Sequence, residues 1–123
     1  FHMNRGGVQE ARAYLERAAA AQDSRLKERE SLLNECLARA TSLSGSLSKA
    51  DKSLLPAAEN AFRGALRGYQ LGEKSLLELL EARRTLLECR KERMDLAEGY
   101  LETLGDLELL APSLSQNPKE ILR

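Results

Sequence analysis

Gly72 stands between two long apolar registers, and that placement limits what the chain can fold into more than any other feature. Upstream, Leu33, Cys36, Ala40, Leu43, Leu47, Ala50 and Leu54 follow one another in alternating steps of three and four. Such a rhythm puts one residue per turn along a single helix face, the seam of a coiled coil. Downstream, Ser75 is followed three residues later by Glu78, the S-x-x-E spacing of a capping box, so a new helix is expected to begin there. From Ser75 to Ala111 there is no proline, and leucine, glutamate and arginine, all strong helix formers, dominate. One helix entering a turn at residues 70–75 and one leaving it predict an all-α fold, a long antiparallel helical hairpin of coiled-coil type.

The incoming helix is expected to start near Gly7. Asn4 to Gly7 reads as a flexible lead, and Phe1-His2-Met3 as a junction left by an expression vector, which would make the chain an excised piece. Val8, Ala11, Leu15 and Ala18 open the periodic spacing, and the charged stretch Gln22 to Glu30 is a solvated face on which only Leu26 continues it. Ser42 to Ser53 resembles a loop, with five serines and Gly45. Serine costs a helix a few tenths of a kcal/mol and glycine about 1 kcal/mol, which an unbroken apolar register outweighs. Pro56 is a stronger perturbation and predicts a kink near residues 53–56, because it removes a backbone hydrogen bond and crowds the preceding turn. Ala58, Ala61, Ala65 and Gly68 resume the stripe with small side chains that permit close helix approach. A helix over 7–70 is about 95 Å long.

The returning helix, residues 75–111, carries two stripes where a simple hairpin needs one. Leu76, Leu80, Leu87, Met94, Ala97, Leu101 and Leu104 form the first; Leu79, Ala82, Leu86, Cys89, Leu96, Tyr100, Leu107 and Leu110 form the second. Two seams imply two neighbours, either in a three- or four-helix bundle or in the wall of a closed ring of helices. Pro112 ends this helix, and 112–123 is expected to be a tail. Leu110 should reach the height of Leu33, leaving about 25 residues of the incoming helix unpaired at 1.5 Å rise per residue. An isolated chain is therefore expected to self-associate through that arm or to lose order there.

Composition removes several function classes. The 123 residues balance nineteen basic against nineteen acidic side chains, so no global field draws nucleic acid. No apolar run reaches the length of a membrane-spanning helix. Cys36 and Cys89 each lie on an apolar stripe, at heights roughly 30 Å apart in a hairpin, whereas a disulfide needs Cα atoms within about 7 Å. Both are expected to be free core thiols. The single histidine, His2, sits in the suspected vector remnant, and no cluster has metal-ligand spacing. No catalytic residues, metal or cofactor are expected, and the chain is not expected to be an enzyme.

Around the turn, Tyr69-x-x-Gly72-x-x-Ser75-x-Leu77-Glu78-x-Leu80-Glu81-Ala82, then Arg83-x-x-Leu86-Leu87-x-x-Arg90, resembles the signature of TolC-type outer-membrane efflux proteins. Asn4-Arg5-Gly6 before an alanine-rich helix, and Leu54-Leu55-Pro56-x-Ala58-Glu59, resemble the same family, nearest its heavy-metal efflux branch of the CzcC and CusC type. The likeness spans roughly residues 4 to 111 and falls on that family's second helical repeat. It implies a homotrimeric channel whose outer-membrane barrel continues into a periplasmic tunnel of helices, fed indirectly by an inner-membrane transporter. Tyr69, Leu71, Gly72, Lys74 and Ser75 would form the periplasmic tip that docks a membrane-fusion adaptor. Glu78 and Glu81 would form an inward-facing acidic gate, with Lys74, Arg83 and Arg84 as candidates for ion pairs closing the tip. Arg83 stands where the family has glutamine, and both acids are glutamate where aspartate is common. The reading from residues alone leaves another class open, a cytoplasmic coiled-coil or three-helix-bundle scaffold, favoured if the helix breaks at residues 42–53.

Overall fold

The computed structural model describes residues 2–111, with side chains from residue 4; the expected tail at 112–123 lies outside the described residues. Helix α1 (His2–Lys49) passes through a π-helical turn (Ala50–Leu54) into α2 (Leu55–Gln70), and α3 (Leu76–Leu110) returns alongside. Among the described residues there is no strand. The fold is the all-α antiparallel hairpin expected, with a first arm roughly 100 Å long at 1.5 Å rise per residue. The serine-rich segment is helical throughout, so the break that would make three helices does not occur. At the other end the helix already runs from His2, upstream of the expected start, and takes in Gly6 and Gly7. Neither glycine adopts positive φ, and at about 1 kcal/mol each they weaken a helix without terminating it.

The seam of α1 is the one the spacing predicts as far as Ala50. Ala40 and Ala50 are buried, and Leu33, Cys36, Leu43 and Leu47 are half-buried. Beyond Ala50 the expectation fails by one residue: Leu54 is 44% exposed, and Leu55 takes its place in the interface. The π turn is the cause. Leu55 donates its N–H to the carbonyl of Ala50, five residues back, so this turn holds one residue more than an α turn. Pro56 explains its position, because proline has no N–H to give Lys52 and its ring would press on that carbonyl in a regular helix. Widening the turn just ahead of the proline accommodates both defects.

Past the π turn the contact line runs through Ala58, Ala65 and Gly68, all buried. Ala61, expected on the stripe, is exposed, and Phe62 is half-buried beside it. On α3 the second stripe is the packed one: Leu86 is buried, and Leu79, Ala82, Cys89, Leu96, Tyr100, Leu107 and Leu110 are half-buried. Its most buried member is Thr103, at 2% exposure. Donation of its hydroxyl to the Gly99 carbonyl at 2.8 Å satisfies the one polar group that burial would otherwise strand. Cys36 and Cys89 are both free thiols.

The hairpin ends where Arg29 reaches across to the last turn of α3. Its Nε and Nη2 donate to the Leu110 carbonyl at 3.1 and 2.7 Å. A cation placed there answers both the open carbonyl and the negative end of the helix dipole. Above Arg29, α1 has no packed face: Val8, Tyr14, Leu15 and Leu26 are 50%, 70%, 65% and 58% exposed. Amide hydrogen exchange should therefore be strongly graded, with amides of 8–28 exchanging at least about tenfold faster than those of 33–70, since only the latter are held by tertiary packing. Uniform protection along α1 would show that the arm is covered in solution.

Candidate functional site at the hairpin tip and the outer face of α3

The tip is built by a glycine in the one conformation that ends a helix and reverses the chain. Gly72 has φ +74°, and its N–H donates to the Tyr69 carbonyl at 3.1 Å while Glu73 N–H donates to the Gly68 carbonyl at 2.8 Å. Those two bonds are a Schellman motif, with glycine at the left-handed position that a Cβ disfavours. Lys74 N–H also reaches the Gly68 carbonyl, at 3.1 Å. A Cβ on Gly68 would stand 2.8 Å from Cγ of Lys74, so the missing side chain leaves room for the lysine stem folded across it. Tyr69, Leu71, Gly72, Lys74 and Ser75 are all exposed.

Ser75 then starts α3 as expected. Its backbone is extended (φ −76°, ψ 160°), and Glu78 N–H donates to its hydroxyl at 3.2 Å. In return the Glu78 carboxylate accepts from Ser75 N–H at 2.8 Å and from its hydroxyl at 3.3 Å. The two expected gate acids thus differ. Glu78 is engaged by the cap, whereas Glu81 is exposed and makes no hydrogen bond or ion pair among the described residues. The basic residues above the tip do not bridge it. Arg84 pairs along its own helix with Glu88 at 2.9 Å, and Arg83 forms no ion pair among the described residues.

The shortest ion pair between the arms among the described residues lies at the π turn. Arg93 of α3 donates from Nε to Asp51 Oδ1 at 2.8 Å and from Nη2 to Oδ2 at 3.5 Å. The hydrogen bond from Arg93, more than its charge, holds the Asp51 carboxyl below its usual range. The same bond keeps Arg93 more firmly protonated. No signal in the sequence marked this pair, because Arg93 falls in a gap of the apolar stripe and the π turn alters what faces it.

The other stripe of α3 has no partner among the described residues. Leu76, Leu80, Leu87, Met94, Leu101 and Leu104 are 51%, 49%, 51%, 68%, 67% and 39% exposed; only Ala97 on this line is half-buried. Among the described residues no group of three or more His, Cys, Asp or Glu could hold a metal ion, and no helix is long and apolar enough to cross a membrane. The arrangement defines a class: an antiparallel helical hairpin with one filled seam and one seam largely exposed among the described residues.

Comparison with known proteins gives that class a relative. Over 93 residues, 73% of this chain, the sequence is 36% identical to the cobalt-zinc-cadmium resistance protein CzcC of Cupriavidus metallidurans. The chain spans only 22% of the length of CzcC. No family profile matches the chain, and no solved structure matches it.

Two outcomes follow from the local chemistry. Ser75→Ala should lower stability by about 1 kcal/mol in urea denaturation, while Glu78→Gln, which preserves the S-x-x-Q form of the box, should change it far less. Asp51→Asn should lower the melting temperature at neutral pH, and the gap from the parent chain should close as pH falls below 3.8. That sign follows because a carboxyl whose folded pKa is depressed stabilises only while ionised, so its contribution disappears on protonation. A gap that persists at low pH would assign the effect to packing.

Proposed function

We propose that the chain is the tunnel portion of a trimeric outer-membrane channel in a tripartite efflux pump, specifically the helical hairpin of its second repeat. Its place would be the periplasm, with the tip at Tyr69, Leu71, Gly72, Lys74 and Ser75 docking an adaptor that links the channel to an inner-membrane transporter. The observation that carries this reading is the doubly striped α3. One stripe is filled by α1 and α2, while the other is exposed from Leu76 to Leu104 at every position but Ala97. A wall helix in a closed ring has that need for a neighbour on each side. The likeness to CzcC, a cobalt-zinc-cadmium resistance protein, supports the channel reading and makes divalent metal cations the cargo we propose.

On this reading the chain conducts and catalyses nothing, the driving energy coming from the transporter. Glu78 and Glu81, three residues apart, share a face of α3. Their copies would converge on the tunnel axis, where repulsion favours opening and the negative potential concentrates cations. The cap divides the two roles: Glu78 fixes the start of the helix, and Glu81 offers the carboxylate free to meet cargo.

The test is single-channel recording from the full-length channel. Glu81→Gln should lower cation-over-anion preference by about fivefold, the equivalent of roughly 1 kcal/mol for one charge near a permeating ion in water. Glu78→Gln should lower it without disturbing the cap. Unchanged selectivity in both variants would remove these side chains from the lumen and overturn the gate assignment.

A further inference from the structure

The packed stripe of α3 shows how this hairpin treats an arginine in a seam. Positions 79, 82, 86, 89, 93, 96, 100, 103, 107 and 110 step by three and four without error, and 93 is the charged one. There the facing helix supplies Asp51, and the guanidinium is held by two hydrogen bonds. The bare stripe has the same rhythm, through 76, 80, 83, 87, 90, 94, 97, 101 and 104. Its two gaps are both arginine, Arg83 and Arg90, one heptad apart with Leu87 between them. Arg83 has no carboxylate partner among the described residues, and Arg90 reaches Glu59 of its own hairpin only at 3.8 Å. Arg83 and Arg90 line one groove together with Leu87, Phe62 and Glu59.

Covering these leucines with a second helix would also remove the two arginines from water. An arginine cannot shed its proton, so enclosing it without an anion is strongly unfavourable, whereas a carboxylate meets its planar fork with two hydrogen bonds. We propose that the bare seam of α3 receives a helix whose apolar stripe carries two carboxylates seven residues apart, set against Arg83 and Arg90. The occupant is a separate helical segment, and acidic residues at that spacing are its recognition mark. This rests on the chemistry of the seam and holds whether or not the chain lines a channel.

The experiment uses the whole chain and two fluorescent synthetic helices of about four heptads, alike in their leucine stripe. One has glutamate and the other lysine at two central seam positions a heptad apart. Fluorescence anisotropy should show the glutamate helix binding at least about tenfold more tightly, a preference that weakens with salt. Arg83→Glu with Arg90→Glu should reverse the order. Arg83→Lys with Arg90→Lys should keep the order at lower affinity, since the charge remains but the fork is lost. Circular dichroism of each variant confirms that the hairpin is intact. Equal binding of the two helices, binding of neither, or an order unchanged in the Arg83→Glu, Arg90→Glu chain would overturn the proposal. So would sedimentation showing that the chain fills the seam with a second copy that the glutamate helix does not displace.

Discussion

The structure depends on one interface two side chains wide. A pair of helices has no interior beyond the line where they touch, and here that line contains few buried groups: Ala40, Ala50, Ala58, Ala65 and Leu86, with Gly68 and Thr103. Four of the five apolar members are alanine. Alanine contributes little buried area, but it lets the helix axes come close enough for the larger residues flanking it to make contact. Cohesion of this kind depends on register, because a shift of one residue turns each small side chain off the line. The polar ties lie at three places along it: the Schellman turn at Gly72, the Asp51–Arg93 pair at the π turn and the Arg29 contact with the carbonyl of Leu110. A close-packed narrow seam is thereby fixed at both ends and near its middle.

Proline 56 and the extra residue before it are one adaptation. An ideal α-helix drifts by about 20° per heptad from a strict seven-residue repeat, and a proline in mid-helix also leaves a carbonyl unpaired. The π turn absorbs the proline and passes the seam from Ala50 to Leu55. It also places Asp51 within reach of Arg93. The local defect in α1 and the longest-range ion pair in the hairpin thus belong to the same few residues.

Much of this was legible in the residues because the informative signals were local. The capping box at Ser75 and Glu78, the glycine at the turn and the packed stripe of α3 each follow from spacing within one helix or one turn, and the structure has all three. The losses share a different cause. Counting in threes and fours assumes a uniform helix, so it carried the seam to Leu54 and Ala61 when the π turn had already moved it to Leu55 and beside Phe62. Thr103 and Arg93 were missed because a polar residue in an apolar stripe looks like an interruption. Only the facing helix shows that one bonds to its own backbone and the other to Asp51. At the tip, spacing placed Glu78 and Glu81 on one face but could not show that the cap engages the first and leaves the second free.

That difference bears on how a channel built from such hairpins would move. Backbone bonds from the Schellman turn, the cap at Ser75 and the stem of Lys74 across Gly68 tie the end of α2 to the start of α3. A loop held in this way has little freedom to act as a hinge. Displacement of Glu81 relative to an axis would then require the whole lower hairpin to tilt, and the resistance would come from whatever fills the bare seam of α3. In the proposed channel, gate and seam would be one mechanical element: the acids would set the electrostatic drive toward opening, and the contacts made by the bare seam would set the opposing stiffness.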